Sequence, residues 1–438
     1  MARTPGVSLV AWLSQEHWLI GASLTRVLLG AWAVYYYLLH YPVRHFLWGP
    51  KGIWPYEKFV EGQPFLSVWQ LSPSPLFFEA VYIMGILIAL AYTVGLWPRM
   101  TGVLHWVMIW SLQERNQLIT DGGDNIMRIV LLFLVLVNTG ACLAVGGSWG
   151  SRRRPAALRE VLAVAHNFGV LLVLAQLAVL YTSTGLYKAM GELWQNGTAL
   201  YYILRVDEFS WPAKAAFIYG NPYLVVLGTY GTVLFEVLFA PSLLNRWSRY
   251  AVIAVGVSFH VGIAIIMGLV TFGWSMLSLY PLLLTDSEYR AVRAWCVRRL
   301  GLIVFYDGWC PLCTRSVRWL AALDLLSLVQ CVSFRDPGVL ERHGLDASGA
   351  ARRIQCVGRS GKVREGADTL IAIAVRSPVL LPVVPLLVAG RLIAGQRLYD
   401  AVASRRLVLV PGACDRHCDV AVAAAGTRPA GRSDRMPL

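Results

Sequence analysis

Long apolar runs separated by short polar stretches dominate the first 285 residues. They are His17–Leu39, Leu76–Leu96, Thr101–Ile119, Asn125–Val145, Val161–Leu186, Tyr223–Leu243, Tyr250–Met267 and Leu269–Leu284. Runs of this length and apolarity predict membrane helices, about eight in all. The last is short and reads as a kinked or tilted partner of the seventh. The first has no small-residue cleavage site after it and reads as an uncleaved anchor. From residue 301 the pattern changes. "LIVFY" reads as a buried strand, "PLCTRSVRWLAALD" as a helix, "LVQCVSF" and "RIQCV" as further strands, and "GKVREGADTLIAIAV" as a hairpin edge entering a helix. The apolar run 379–394, interrupted by Pro382 and Pro385, falls on the domain surface or the membrane face. The expected architecture is a polytopic α-helical membrane domain over 1–290, followed by a small α/β domain of thioredoxin-like size over 300–420. Residues 421–438 are expected to form a disordered tail.

Composition agrees with the pattern. The chain is 57% hydrophobic and 15% charged, whereas soluble domains carry about 25% charged residues. The net charge of +14 follows from arginines in short loops, as the positive-inside rule requires. It does not lie on one periodic face, so nucleic-acid binding is excluded. "SRRRPAALRE" (151–160) marks the cytoplasmic side, with Arg99, Arg246, Arg249 and "RAVRAWCVRR" (290–299) on the same side. Both termini are then cytoplasmic in a bacterial-type inner membrane, with the lipid bilayer as first partner. The outward connections "FLWGPKGIWPYEKF" (46–59) and "LWQNGTALYYIL" (193–204) are rich enough in aromatics to sit at the interface and cap the bundle.

Ionisable groups in or beside spans are costly and draw attention. Arg26, Arg128 and Glu236 are expected to pair across helices and fix the packing. Lys188 stands at the outward end of a span, in "YTSTGLYKAMGELW" with Trp194 close behind. Such a lysine either snorkels or, partly buried, serves as a base. His260 on an apolar helix is either a hydrogen-bonded interior histidine or a ligand. "GLYKAMGELWQNGTALYYIL" together with "FEVLFAPSLLNRWSRYAVIAVGVSFHVGIAIIMGLVTFGWSML" resembles the horizontally transferred transmembrane (HTTM) family. That family includes the vitamin K-dependent γ-carboxylase and the bacterial sporulation-delaying protein B type. The resemblance spans roughly 15–285. It implies that Lys188 is a catalytic base acting on a hydroquinone, that His260 matches a family histidine, and that Asn116, in "ERNQLITDGG", joins them without the histidine that accompanies it in the carboxylase. The expected site is a cavity of Lys188, His260, Asn116 and Trp194 that takes a lipid-soluble molecule such as a quinone or hydroquinone. No tightly bound cofactor is expected.

Six of the eight cysteines lie beyond residue 300: Cys310, Cys313, Cys331, Cys356, Cys414 and Cys418. This clustering points to a cysteine-using domain. In "FYDGWCPLC" the dithiol opens the predicted helix. Cys310 at the helix start is placed as the attacking thiolate, and Cys313, one turn on, as the resolving thiol. Asp307 either relays a proton or forms a turn with Gly308. Cys414 and Cys418 form a candidate second dithiol. They could also complete a zinc site with the first pair, but the strand-to-helix context of the CxxC is unlike a zinc knuckle, so no metal is assigned. "FYDGWCPLC", "GKVREGADTL" (361–370) and "GQRLYDAVASRR" (395–406), in this order, resemble the DCC-type thiol-disulfide oxidoreductase family over about 300–420, with Trp309 where that family usually carries an acidic residue. The resemblance implies a membrane-anchored protein-disulfide reductase or thiol-disulfide oxidoreductase acting on a thiol-containing protein or peptide. The alternatives are a maturation, export or immunity factor for a secreted peptide and a γ-carboxylase-like enzyme.

Overall fold

The computed structural model describes residues 9–62, 66–145, 155–324, 326–377 and 379–404. The chain divides into two compact units, 1–289 and 290–438. The expected tail at 421–438 and the second dithiol, Cys414 and Cys418, lie outside the described residues.

The first unit is helical throughout its described residues. Its main helices are α1 (Leu19–His40), α2 (Pro75–Val94), α3 (Pro98–Arg115), α4 (Gly122–Leu134), α5 (Ala156–Met190), α6 (Pro222–Ser242), α7 (Arg246–Gly262) and α8 (Val270–Leu277). Their starts follow from local chemistry. Pro occupies the first turn of α2, α3 and α6, where its missing N–H costs nothing. Asp121 and Asp124 form a reciprocal capping box at α4, and Asn221 and Asn245 cap α6 and α7. α7 ends in a π-turn, Ile263–Met267, stopped by Gly268 at φ 73°. A side chain at Gly268 would also meet the Trp211 indole at 2.5 Å.

Helices form at all eight apolar runs; among the described residues five are long and apolar enough to cross a membrane: Leu19–Trp48, Pro75–Val94, Ala156–Met190, Pro222–Ser242 and Arg246–Met267. The expected architecture of many apolar helices is present, with five rather than eight of them meeting that length and apolarity. α3 ends in buried Gln113, Glu114 and Arg115, too polar for lipid. α4 is 13 residues long, about 20 Å against a hydrocarbon core of about 30 Å. Residues beyond it leave the helix to supply carbonyls to Arg26. The Arg26 guanidinium, fully buried, donates to the carbonyls of Tyr92, Thr93, Thr139 and Leu143 at 2.5–3.0 Å. The expected ion pair at Arg26 is thus replaced by backbone acceptors. Arg128 does pair across helices, with Glu114 at 2.9 Å. The connection 46–59 packs inward, with Trp48 and Phe59 buried and Arg115 donating to the carbonyls of Gly49 and Trp54 at 2.7 Å.

The second unit holds a mixed four-stranded sheet. Its elements are the helix α9 (Asp286–Leu300), which begins just before it, then β1 (Leu302–Tyr306), α10 (Pro311–Leu323), β2 (Val329–Ser333), β3 (Gln355–Gly358), β4 (Val363–Glu365), α11 (Ala367–Ala374), α12 (Val384–Ala394) and α13 (Arg397–Ser404). The strand order is β2-β1-β3-β4, with β1 and β2 parallel and the other pairs antiparallel. β1 is apolar on both faces and central, so it is covered on both sides. Leu302, Val304, Cys356, Ala372 and Ile373 form one core. Phe305, Phe334, Val339, Leu345 and Ala350 form the other.

Candidate functional site

The dithiol sits where β1 hands over to α10. The loop Asp307–Gly308–Trp309 turns the chain, and Cys310 caps the helix. Its Sγ accepts the Cys313 N–H at 3.5 Å. A sulfur in that position faces the free N–H groups and positive end of the helix. Cys310 is 4% exposed, whereas Cys313 is half-buried. Pro311 occupies the first helical position, where its missing N–H costs no helical hydrogen bond.

Asp307 is not a lone proton carrier in this arrangement. Its carboxylate holds the Arg335 guanidinium in a fork, Nε to Oδ1 and Nη2 to Oδ2, both 3.1 Å. The two side chains are 8% and 6% exposed. Oδ1 also accepts the Trp309 N–H at 3.1 Å. The guanidinium lies 4.5 Å from the Trp309 ring, which is itself half exposed. Gly308 lets the turn close, because a side chain there would meet Ser333 Oγ at 2.5 Å. Register explains the pair. β1 and β2 run parallel with Tyr306 opposite Ser333, so the residues leaving the two strands meet. Sequence reasoning missed Arg335; the signal was the similar exit of "FYD" and "SFRD" from neighbouring strands.

The two cysteines on the sheet, Cys331 and Cys356, have thiols raised by their surroundings. Burial first, and Asp324 second, push the Cys331 thiol up to about 11. Burial also raises Cys356 above the ordinary range. An apolar cavity of about 500 Å³ opens beside the dithiol, with Asp307, Leu312 and Cys313 in its wall.

In the first unit, Lys188, Trp194 and His260 come together around a separate cavity of about 650 Å³. Lys188 Nζ donates to both oxygens of Glu236, at 2.8 and 2.7 Å, and lies 5.5 Å from the Trp194 ring. The lysine thus works as half of an ion pair, and Glu236 is its cross-helix partner. His260 Nε2 is 2.6 Å from the Tyr181 hydroxyl, which is 2.9 Å from the Tyr280 hydroxyl. Its Nδ1 is buried without a hydrogen-bond partner. Tyr181 and Tyr280 were missed at the level of sequence, although Tyr181 lies seven residues before Lys188 and hence on the same helix face. Asn116 does not belong with this cavity, which corrects the expectation. Its amide donates to the Leu47 carbonyl at 2.8 Å and accepts the Leu118 N–H at 3.1 Å, so one end ties it to a distant segment and the other holds its own turn.

A family model described as "DCC1-like thiol-disulfide oxidoreductase" matches residues 304–410. Over 225 residues the chain is 31% identical to the uncharacterized protein YitO of Bacillus subtilis, covering 49% of this chain and 69% of that protein. It is 28% identical to the sporulation-delaying protein SdpB of the same organism, also over 225 residues, covering 50% of this chain and 68% of SdpB. No solved structure matches the chain at a comparable level. The matches to YitO and SdpB fall on the N-terminal half, where the apolar helices lie. The chain therefore belongs to the family of YitO and SdpB, and it carries at residues 304–410 a DCC1-like thiol-disulfide oxidoreductase domain.

Proposed function

We propose that the protein is a membrane-anchored thiol-disulfide oxidoreductase whose Cys310–Cys313 dithiol exchanges with a thiol-containing protein or peptide. The observation that carries this reading is the Cys310 sulfur seated on the N–H of Cys313 at the start of α10. The strand–helix–strand order followed by an antiparallel pair supports a thioredoxin-like domain. In the exchange, the Cys310 thiolate attacks one sulfur of a substrate disulfide and the other sulfur leaves as a thiolate. Cys313 loses its proton to solvent and attacks Cys310 of the mixed disulfide, which forms the Cys310–Cys313 disulfide and releases the second substrate thiolate. Two electrons pass from the dithiol to the substrate. Reversal of the same steps oxidises a substrate dithiol.

Changing Cys313 to Ser should leave mixed disulfides trapped on Cys310. Trapping on Cys313 in the Cys310→Ser variant instead would exchange the two roles, and trapping on neither would end the reading. The arginine bias supports a cytoplasmic position for this domain; on that reading a membrane-impermeant maleimide added to intact cells should leave Cys310 unmodified.

A second reading concerns the first unit. A cavity of about 650 Å³ whose polar groups are gathered at Lys188, Glu236, His260 and Tyr181 suits an apolar molecule with one polar head. A quinone or hydroquinone is of that class, and electrons could pass between it and the dithiol. Similarity to a protein named as sporulation-delaying supports a third possibility, in which the dithiol serves the maturation or export of a secreted peptide, or immunity to it.

A further inference from the structure

We propose that the cavity beside Cys313 is a recognition subsite for the bulky apolar side chain that neighbours the target cysteine in a protein or peptide substrate. The inference rests on the thiol-exchange reading and names what the substrate must carry. The cavity measures about 500 Å³ and is bounded by Leu312 and Cys313 of α10, Ile373 of α11, Leu387 of α12 and Tyr399 of α13. Its wall therefore includes one residue of the proposed redox pair.

The chemistry of the lining excludes charged small molecules. Lysine, arginine and histidine are missing from the residues that line it, so a phosphate or carboxylate would find no cation. The carboxylate of Asp307 is already held by Arg335, and the Tyr399 hydroxyl accepts the Ile354 N–H at 3.1 Å. Pockets for free small molecules orient them with a few well-placed polar groups; the main ones here are committed. An apolar side chain needs no such groups, because the chain to which it belongs is positioned by its own cysteine at the dithiol. Burial of a Leu or Phe side chain then adds to binding without any new polar contact, by roughly 10- to 100-fold in affinity.

The test uses the full-length reduced protein in detergent and mixed disulfides between glutathione and short peptides, with the residue beside cysteine as Gly, Leu or Phe. Peptide-thiol release is followed for each in single turnovers, one dithiol being oxidised per disulfide reduced, so that kcat is the maximal release rate constant and KM the half-saturating concentration. The expected result is a KM for the Leu and Phe peptides about 10- to 100-fold below that for the Gly peptide. The Leu-to-Gly ratio of kcat/KM should fall to within about threefold of unity in both Ser316→Trp, at the exposed rim, and Leu387→Arg, in the wall. Taking the ratio cancels any general loss of activity. Equal use of Gly and Leu peptides, with exchange still dependent on Cys310, would overturn the subsite and leave the oxidoreductase reading standing. Absence of Cys310-dependent exchange with every disulfide would overturn both. Competition by a short-chain quinone that the dithiol itself reduces would assign the cavity to a small molecule and end the proposal.

Discussion

Removing the charge of Arg335 tests the site most directly. In Arg335→Met the aliphatic stem is approximately kept, while Asp307 remains in a position where it is 8% exposed. A buried ion pair broken from one side costs about 3–5 kcal/mol, because the remaining charge has lost both water and partner. A lone carboxylate can escape by taking a proton, but protonating an ordinary aspartate at pH 7 costs about 4 kcal/mol, which bounds the penalty in the same range. The Trp309 ring, 4.5 Å from the guanidinium, loses a further cation–π contact of roughly 0.5–1 kcal/mol. The double variant Asp307→Asn/Arg335→Met keeps an acceptor for the Trp309 N–H and removes the stranded charge, so it should recover at least about 2 kcal/mol. The assay is modification of Cys356, whose side chain is fully buried, by a thiol reagent across a urea series, read by mass spectrometry of its peptide. A loss below about 1 kcal/mol in the single variant would refute the argument, as would a double variant no more stable than the single one.

Two further outcomes follow from the same geometry. Cys331 is a thiol whose folded value is raised to about 11 from 9.0. The fold therefore gains from keeping it protonated below about pH 9 and loses that gain as pH rises toward 11; urea midpoints measured from pH 8 to 11 should fall in this window, and Cys331→Ala should flatten the decline. In the first unit, Lys188→Met strands the 6%-exposed Glu236 and should reduce the yield of monodisperse folded protein, while Lys188→Met/Glu236→Leu should restore most of it; size-exclusion chromatography in detergent reads both, and a single variant as well behaved as the parent would show that the pair carries no structural load.

The dithiol was legible in the sequence because its signals are local. An apolar strand run, a turn residue before Cys310 and helical spacing after it all fall within twenty residues, and the helix start puts the sulfur on free N–H groups. Strands at "LVQCVSF" and "RIQCV" were legible for the same reason. Arg335 was not, since it lies 28 residues from Asp307 and meets it only through the parallel register of β1 and β2. Lys188 stood out as a charged group at a span end, but its bidentate partner is 48 residues away on another helix. Asn116 misled because its type and place suggested a ligand, whereas its amide is taken at one end by the Leu47 carbonyl of a distant segment and at the other by the Leu118 N–H of its own turn. The apolar runs were legible as helices, but α3 and α4 are shorter or more polar than the five long spans, since α3 ends in buried polar residues and α4 is 13 residues long.

The placement of Cys331 and Cys356 has a consequence for electron traffic. Both are register partners of Val304, one on each neighbouring strand. Two strand spacings separate their backbones, about 9.5 Å, whereas a disulfide closes only when the Cα atoms lie within roughly 7 Å. The rigid central strand therefore acts as an insulator between two sulfurs that would otherwise form a competing couple. A disulfide between Cys331 and Cys356 is barred by that distance, so the interior of the sheet cannot be stapled through them. The two buried thiols then become a built-in reference: whatever the redox state of the dithiol, they should be recovered in full, reduced, once the fold is opened.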